Sequence, residues 1–90
     1  MKHIDIFKII SPWAYNIDDP YFISEKEVVK LLEAIPEEEE FVVNINSPGG
    51  SVYSGKAIYN LLAKRRPKVR TMILGNGASA AAFVSQAGEK

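Results

Sequence analysis

Cysteine is absent from the 90 residues, so disulfides and thiolate metal sites are excluded. Histidine occurs once, as His3, which rules out a histidine-rich metal centre built within the chain. No apolar run approaches the roughly 20 residues of a membrane-spanning helix. Charges in Met1-Lys2-His3-Ile4-Asp5 also interrupt the apolar residues before a signal-peptide core can form. Nor is there an excess of charge of either sign. Eleven basic residues balance eleven acidic ones, so nothing favours nucleic acid or an anionic membrane as a partner. The expectation is a soluble, cytoplasmic protein. Its 47% of hydrophobic residues is ordinary for a globular chain and enough for one small domain or part of a larger one.

What is present alternates in character. Ile4 to Ile10 reads as a strand, with apolar residues at Phe7 and Ile9 as well as Ile4 and Ile6, a pattern suited to cover on both faces. Ser11-Pro12 ends it, and a loop with aromatic anchors at Trp13, Tyr15 and Tyr21 is expected to follow. Ser24-Glu25-Lys26-Glu27 is a capping box, and Val28, Leu31, Leu32 and Ile35 then fall on one helix face before Pro36. Glu37 to Glu40 reads as a solvated connection, since adjacent carboxylates do not converge on a metal. Phe41 to Ile45 has strand length and β-branching. A helix over Val52–Ala63, a strand over Val69–Leu74 and a small-residue helix over Ala78–Ala87, closed by Gly88, complete the chain. The basic run from Lys64 to Arg70 is expected to be a solvated helix end. The order strand-helix-strand-helix-strand-helix predicts an α/β fold with a largely parallel sheet. In such sheets function gathers at the carboxyl ends of strands.

Two glycine-containing breaks lie at such ends. In Gly75-Asn76-Gly77-Ala78-Ser79-Ala80-Ala81-Ala82 the serine stands where free helix amides favour negative charge, which suits a nucleophile whose attack creates an oxyanion. On local sequence alone the ordinary helix cap is the favoured reading of Ser79, because serine is a common N-cap. In Asn46-Ser47-Pro48-Gly49-Gly50-Ser51-Val52 two adjacent glycines can turn backbone amides outward, toward a carbonyl or an extended peptide; a plain βα turn also fits. Neither break is a phosphate-binding loop or a dinucleotide fingerprint, and Gly77-Ala78-Ser79-Ala80-Ala81 lacks the last glycine of the α/β-hydrolase elbow.

Ile45-Asn46-Ser47-Pro48-Gly49-Gly50-Ser51-Val52, then Gly55 and Ala57-Ile58-Tyr59, then Gly75-x-x-Ala78-Ser79-x-x-Ala82, resemble the Clp protease proteolytic subunit (ClpP), peptidase family S14. The similarity runs in register over about residues 41 to 88. The amino-terminal third is more similar to the shorter phage and prophage head-assembly members. The resemblance implies a ClpP/crotonase-like fold of repeated β-α units, incomplete here, with residues 1–90 forming the amino-terminal part of one peptidase domain. It implies Ser79 as nucleophile, the amides of Gly50 and Ala80 as oxyanion hole, and Gly49, Ser51 and Val52 along a groove that binds substrate as an extended strand. A serine endopeptidase acting through an acyl-enzyme is the implied activity, with no metal or organic cofactor. Implied partners are peptide or protein substrates, copies of itself in a ring, and an unfoldase ATPase or phage capsid proteins.

One departure matters. The family places its general-base histidine roughly two dozen residues beyond the serine, with an aspartate further on, whereas this sequence stops at Lys90. His3 precedes the first strand and matches no family position. The chain is therefore expected to be the front portion of a longer protein, with negligible peptidase activity by itself. Two other readings are an inactive Clp-like subunit with an assembly or peptide-binding role, and a crotonase-type acyl-CoA enzyme, which needs paired amides but no serine nucleophile.

Overall fold

The computed structural model describes residues 1–14, 16 and 18–88. Strand β1 covers Lys2–Ile6, β2 Ile9–Ile10, β3 Phe22–Ile23, β4 Phe41–Ser47 and β5 Val69–Gly77. Helices are α1 (Glu25–Glu33), α2 (Val52–Ala63) and α3 (Ala80–Val84), and a 3₁₀ turn follows over Ser85–Ala87. Three strands form a parallel sheet in the order β1-β4-β5, and β2 pairs with β3 in a separate parallel pair. This is the expected α/β architecture with a parallel sheet.

The period of two along the strands decides where the core lies. Ile4 and Ile6, Phe41, Val43 and Ile45, and Val69 point to one side, where Val28 and Leu32 of α1, Ile58 and Leu62 of α2 and Val84 of α3 complete the buried cluster. Each such side chain contributes about 1.5–3 kcal/mol on burial. On the opposite side His3 and Asp5 are exposed. The segment 4–10 is thus not one strand covered on both faces. It breaks at Phe7, which is 49% exposed, because the Lys8 carbonyl takes the Ser47 hydroxyl and Ile10 moves on to pair with Gly50.

The capping box forms as read. The Ser24 amide donates to Glu27 Oε1 at 2.8 Å, and Ser24 Oγ accepts from the Lys26 amide at 3.2 Å. Both side chains are buried, so the cap is part of the core rather than a surface ornament. Glu37, Glu38 and Glu40 are exposed, as a solvated connection requires.

Other boundaries shift. Strand β5 runs through Gly75 to Gly77 instead of ending at Leu74, and absorbs the extra residues as a register shift opposite Ile45 and Ser47. A β-carbon on Gly75 would lie 3.0 Å from the Asn46 side chain, so this glycine serves close packing of neighbouring strands and not a turn. Helix α3 begins at Ala80, two residues later than its small residues suggest. Gly88 is extended (φ −106°), and a β-carbon there would stand 2.9 Å from Thr71 N; it is glycine for the approach to β5 and not for a left-handed cap. Trp13 and Tyr21 are 85% and 69% exposed rather than buried as anchors, while Tyr15 lies outside the described residues. The basic run is not merely solvated. The Arg65 guanidinium donates to the Ile35 and Leu32 carbonyls, and that of Arg66 to Ala87 and Gln86, so two cations close helix and turn ends.

Candidate active site

Both glycine breaks converge at the carboxyl ends of β4 and β5. Ser47, fully buried at the end of β4, fixes the first: its hydroxyl donates to the Lys8 carbonyl at 2.6 Å and accepts from the Gly49 amide at 3.0 Å. The chain then turns through φ +96° at Gly49 and +138° at Gly50, conformations that residues with a β-carbon rarely adopt. A β-carbon on Gly50 would collide with the Ile10 carbonyl oxygen. Ile10 holds one edge of this segment, donating to the Gly49 carbonyl and accepting from the Ser51 amide, each at 2.8 Å. Alternation along an extended segment therefore directs the N–H and C=O of Gly50 to the opposite, unpaired edge. Of the two glycines, Gly49 has its amide committed to Ser47, and exposed Gly50 has its amide uncommitted among the described residues.

Ser79 ends the other break. Its backbone stands at φ +55°, ψ −124°, and Ser79 is the one described non-glycine residue with positive φ. Such a conformation costs on the order of 1–3 kcal/mol and persists only where the surroundings impose it. Ser79 occupies the N-cap position of α3, yet its side chain makes no capping hydrogen bond. The cap reading thus loses its physical basis, and an exposed hydroxyl on a strained strand-to-helix turn remains. Helix α3 has only five residues, so its dipole adds little; the relevant feature is the Ala80 amide, which donates to no other described residue.

Gly49 joins the two loops. A β-carbon placed on it would lie 2.5 Å from the Ala78 carbonyl oxygen, 2.8 Å from Ser79 Cβ and 3.1 Å from the Ala80 amide nitrogen. The nucleophile candidate and one oxyanion-hole candidate are therefore packed against the glycine that precedes the other. From behind, Gly55 of α2 admits Ala80, whose Cβ would be 2.9 Å from a β-carbon there.

The remaining candidates divide. Ser51 flanks Gly50, but its hydroxyl accepts from the Ser54 amide at 3.2 Å and caps α2. Val52, 57% exposed, opens that helix beside the turn. His3 pairs in register with Val42, five residues before Ser47, which puts it about 16 Å back along the sheet at ~3.3 Å per residue. Its Nδ1 lies 3.0 Å from Asn44 Nδ2, which also donates to Asp5. Ser47 and Ile10 were not legible as site-forming residues. The Ser-Pro-Gly order hints at a hydroxyl-to-amide turn, whereas nothing local marks Ile10 as the strand partner of Gly50.

The sequence profile of the Clp protease family matches residues 17–90, and the chain belongs to that family. Among solved structures, a mutant of ClpP1 from Listeria monocytogenes superposes with a TM-score of 0.76 at 27% sequence identity. The match covers 99% of this chain and 47% of that one, so these residues span about half of the relative's length.

Proposed function

We propose that these residues carry the nucleophile and oxyanion hole of a serine endopeptidase of the Clp-like class. Ser79 Oγ attacks the scissile carbonyl, the amides of Gly50 and Ala80 donate to the oxygen as it becomes negative, and an acyl-enzyme on Ser79 is then hydrolysed. Gly49 leaves room at the seryl turn, and the free edge of Gly50, with Ser51 and Val52 beyond it, borders the substrate strand. His3, the one histidine in the sequence, lies at the far end of the strands. In this reading a histidine outside these 90 residues accepts and returns the proton, oriented by an aspartate that also lies outside them.

The observation that carries the reading is the strained, uncapped backbone of Ser79 packed against Gly49. A crotonase-type site, built from two amides alone, leaves that strain without a purpose. We place the chain in the phage and prophage branch on the likeness of its amino-terminal third, with the Trp13 loop and the capped helix, to those members. With that branch go a ring of identical subunits in the cytoplasm, and an unfoldase or capsid proteins as partners. The test is peptide hydrolysis by the full-length protein that contains these residues. Ser79→Ala abolishes turnover if the reading holds, and leaves it unchanged if the chemistry is of the crotonase kind. A parent that turns over no peptide at all points instead to an inactive subunit serving assembly or peptide binding.

A further inference from the structure

Away from the seryl turn, the helix-free face of the sheet carries a cluster of side chains that are all metal-ligand types. In β1 the period of two places His3 and Asp5 together on that face, ~6.6 Å apart along the strand, and both are exposed. Asn44 of β4 stands opposite Asp5 in the parallel register. His3 Nδ1 and Asp5 Oδ1 each lie 3.0 Å from one and the same atom, Asn44 Nδ2. An amide N–H points at each, so Nδ1 is the lone-pair nitrogen of the imidazole. Asn44 precedes Ser47 by three residues, ~10 Å along β4, which sets the cluster apart from the candidate active site.

Lone pairs of an imidazole nitrogen and a carboxylate oxygen thus converge on an amide. Half a turn about the Asn44 Cβ–Cγ bond puts Oδ1 where Nδ2 stands. The three atoms then form a set of one nitrogen and two oxygens whose mutual repulsion a cation relieves. Their spacing suits a metal. Ligands about 2.1 Å from an ion and at right angles to each other stand about 3.0 Å apart, whereas a tetrahedral angle separates them by about 3.4 Å.

The surrounding charge suits a cation as well. Asp5 brings a carboxylate, while Lys2, next to His3, is turned away, its Nζ donating to the Ala34 carbonyl at 2.8 Å. Met72 is the register partner of Asn44 in β5 and brings no charge. Arg70 pairs with Val42, itself the partner of His3, so its backbone stands two strands from His3, ~10 Å away.

We propose that His3 Nδ1, Asn44 Oδ1 and Asp5 Oδ1 hold a divalent transition-metal ion of octahedral preference, Mn²⁺, Co²⁺ or Ni²⁺, with water in the remaining positions. The nitrogen ligand disfavours Ca²⁺, and the right-angled spacing disfavours tetrahedral Zn²⁺. Bound there, the ion ties β1 to β4 and stabilises the sheet. The site does not depend on Ser79 being a nucleophile.

The test uses the untagged full-length protein, stripped with EDTA, and Co²⁺ alone as the probe. Calorimetric titration should show one Co²⁺ per chain whose binding is weakened at least tenfold in His3→Ala and in Asp5→Ala. Both positions are exposed, so the circular dichroism spectrum should be retained. Bound Co²⁺ should shift imidazole proton resonances far outside their usual range, and His3→Gln should abolish that signal. Asn44→Asp separates a metal site from a plain hydrogen-bond network. It removes the amide donor and sets two carboxylates side by side, so it should lower the melting temperature without metal. It should also bind Co²⁺ at least tenfold more tightly than the parent, because a second carboxylate adds ligand charge. No uptake of Co²⁺, binding unchanged in His3→Ala or Asp5→Ala, or an Asn44→Asp protein that Co²⁺ does not restore overturns the proposal.

Discussion

A β-carbon on Gly49 would stand 2.8 Å from Ser79 Cβ, so the two glycine breaks touch at the residue proposed to attack substrate. This contact makes the turn after β4 and the turn after β5 a single structural object. It also gives Gly49 a role separable from that of Gly50: one makes room, the other donates.

Gly49→Ala therefore damages the site in two ways. The new methyl group must displace the Ala78 carbonyl and Ser79, and it adopts φ +96°, where alanine is strained. We expect a loss of about 2–3 kcal/mol in stability by denaturant titration. Where the variant still folds, Ser79 reactivity toward a fluorophosphonate should fall at least ~100-fold.

Strain at Ser79 predicts a trade between stability and function. Ser79→Gly accepts φ +55° without a β-carbon, whereas Ser79→Ala keeps the strain and loses only the hydroxyl. Thermal unfolding should place the glycine variant about 1 kcal/mol above the alanine variant, with both unreactive. An alanine variant as stable as the glycine one contradicts an imposed backbone at this position.

Two serines flanking the glycines should separate cleanly. Ser47→Ala orphans the Gly49 amide and a carbonyl at a buried position, costing about 1–3 kcal/mol and loosening the oxyanion turn. Ser51→Ala removes a cap on α2 and costs about 1 kcal/mol. Paired denaturation and probe-labelling measurements should find reactivity lowered much more by the first than by the second.

Gly55→Val tests the support behind Ala80. A β-carbon alone would lie 2.9 Å from Ala80 Cβ and 3.3 Å from the Ala80 carbonyl oxygen, and a branched one cannot be seated without moving α3. The expected cost is about 2–3 kcal/mol, with a matching loss of Ser79 labelling. Ser24→Ala, which opens the remote capping box, should cost about 1 kcal/mol and leave labelling per folded molecule unchanged.

Much of this was legible in the sequence where local chemistry and tertiary demand agree. The capping box at Ser24 and Glu27, the apolar face of α1 and the two breaks at strand ends are set by residues close in sequence, and they form as the pattern says. Legibility failed where a distant partner decides. Ile4 to Ile10 reads as one strand, but Ser47 and Gly50 claim Lys8 and Ile10 and divide it. Gly75 and Gly88 look like turn glycines, and are needed for closeness to Asn46 and Thr71 instead. The cap-or-nucleophile choice at Ser79 likewise could not be made from its neighbours. It turns on a backbone angle and on a contact with Gly49, thirty residues earlier in the sequence.

The central claim is that Ser79 is a nucleophile served by the Gly50 and Ala80 amides. Its most direct test is fluorophosphonate treatment of the full-length folded protein, followed by peptide mapping of the adduct. The account predicts a single adduct on the peptide that contains Ser79, lost in Ser79→Ala and at least ~100-fold slower in Gly49→Ala. A folded protein that turns over peptide substrates yet takes up no label at Ser79 would contradict it.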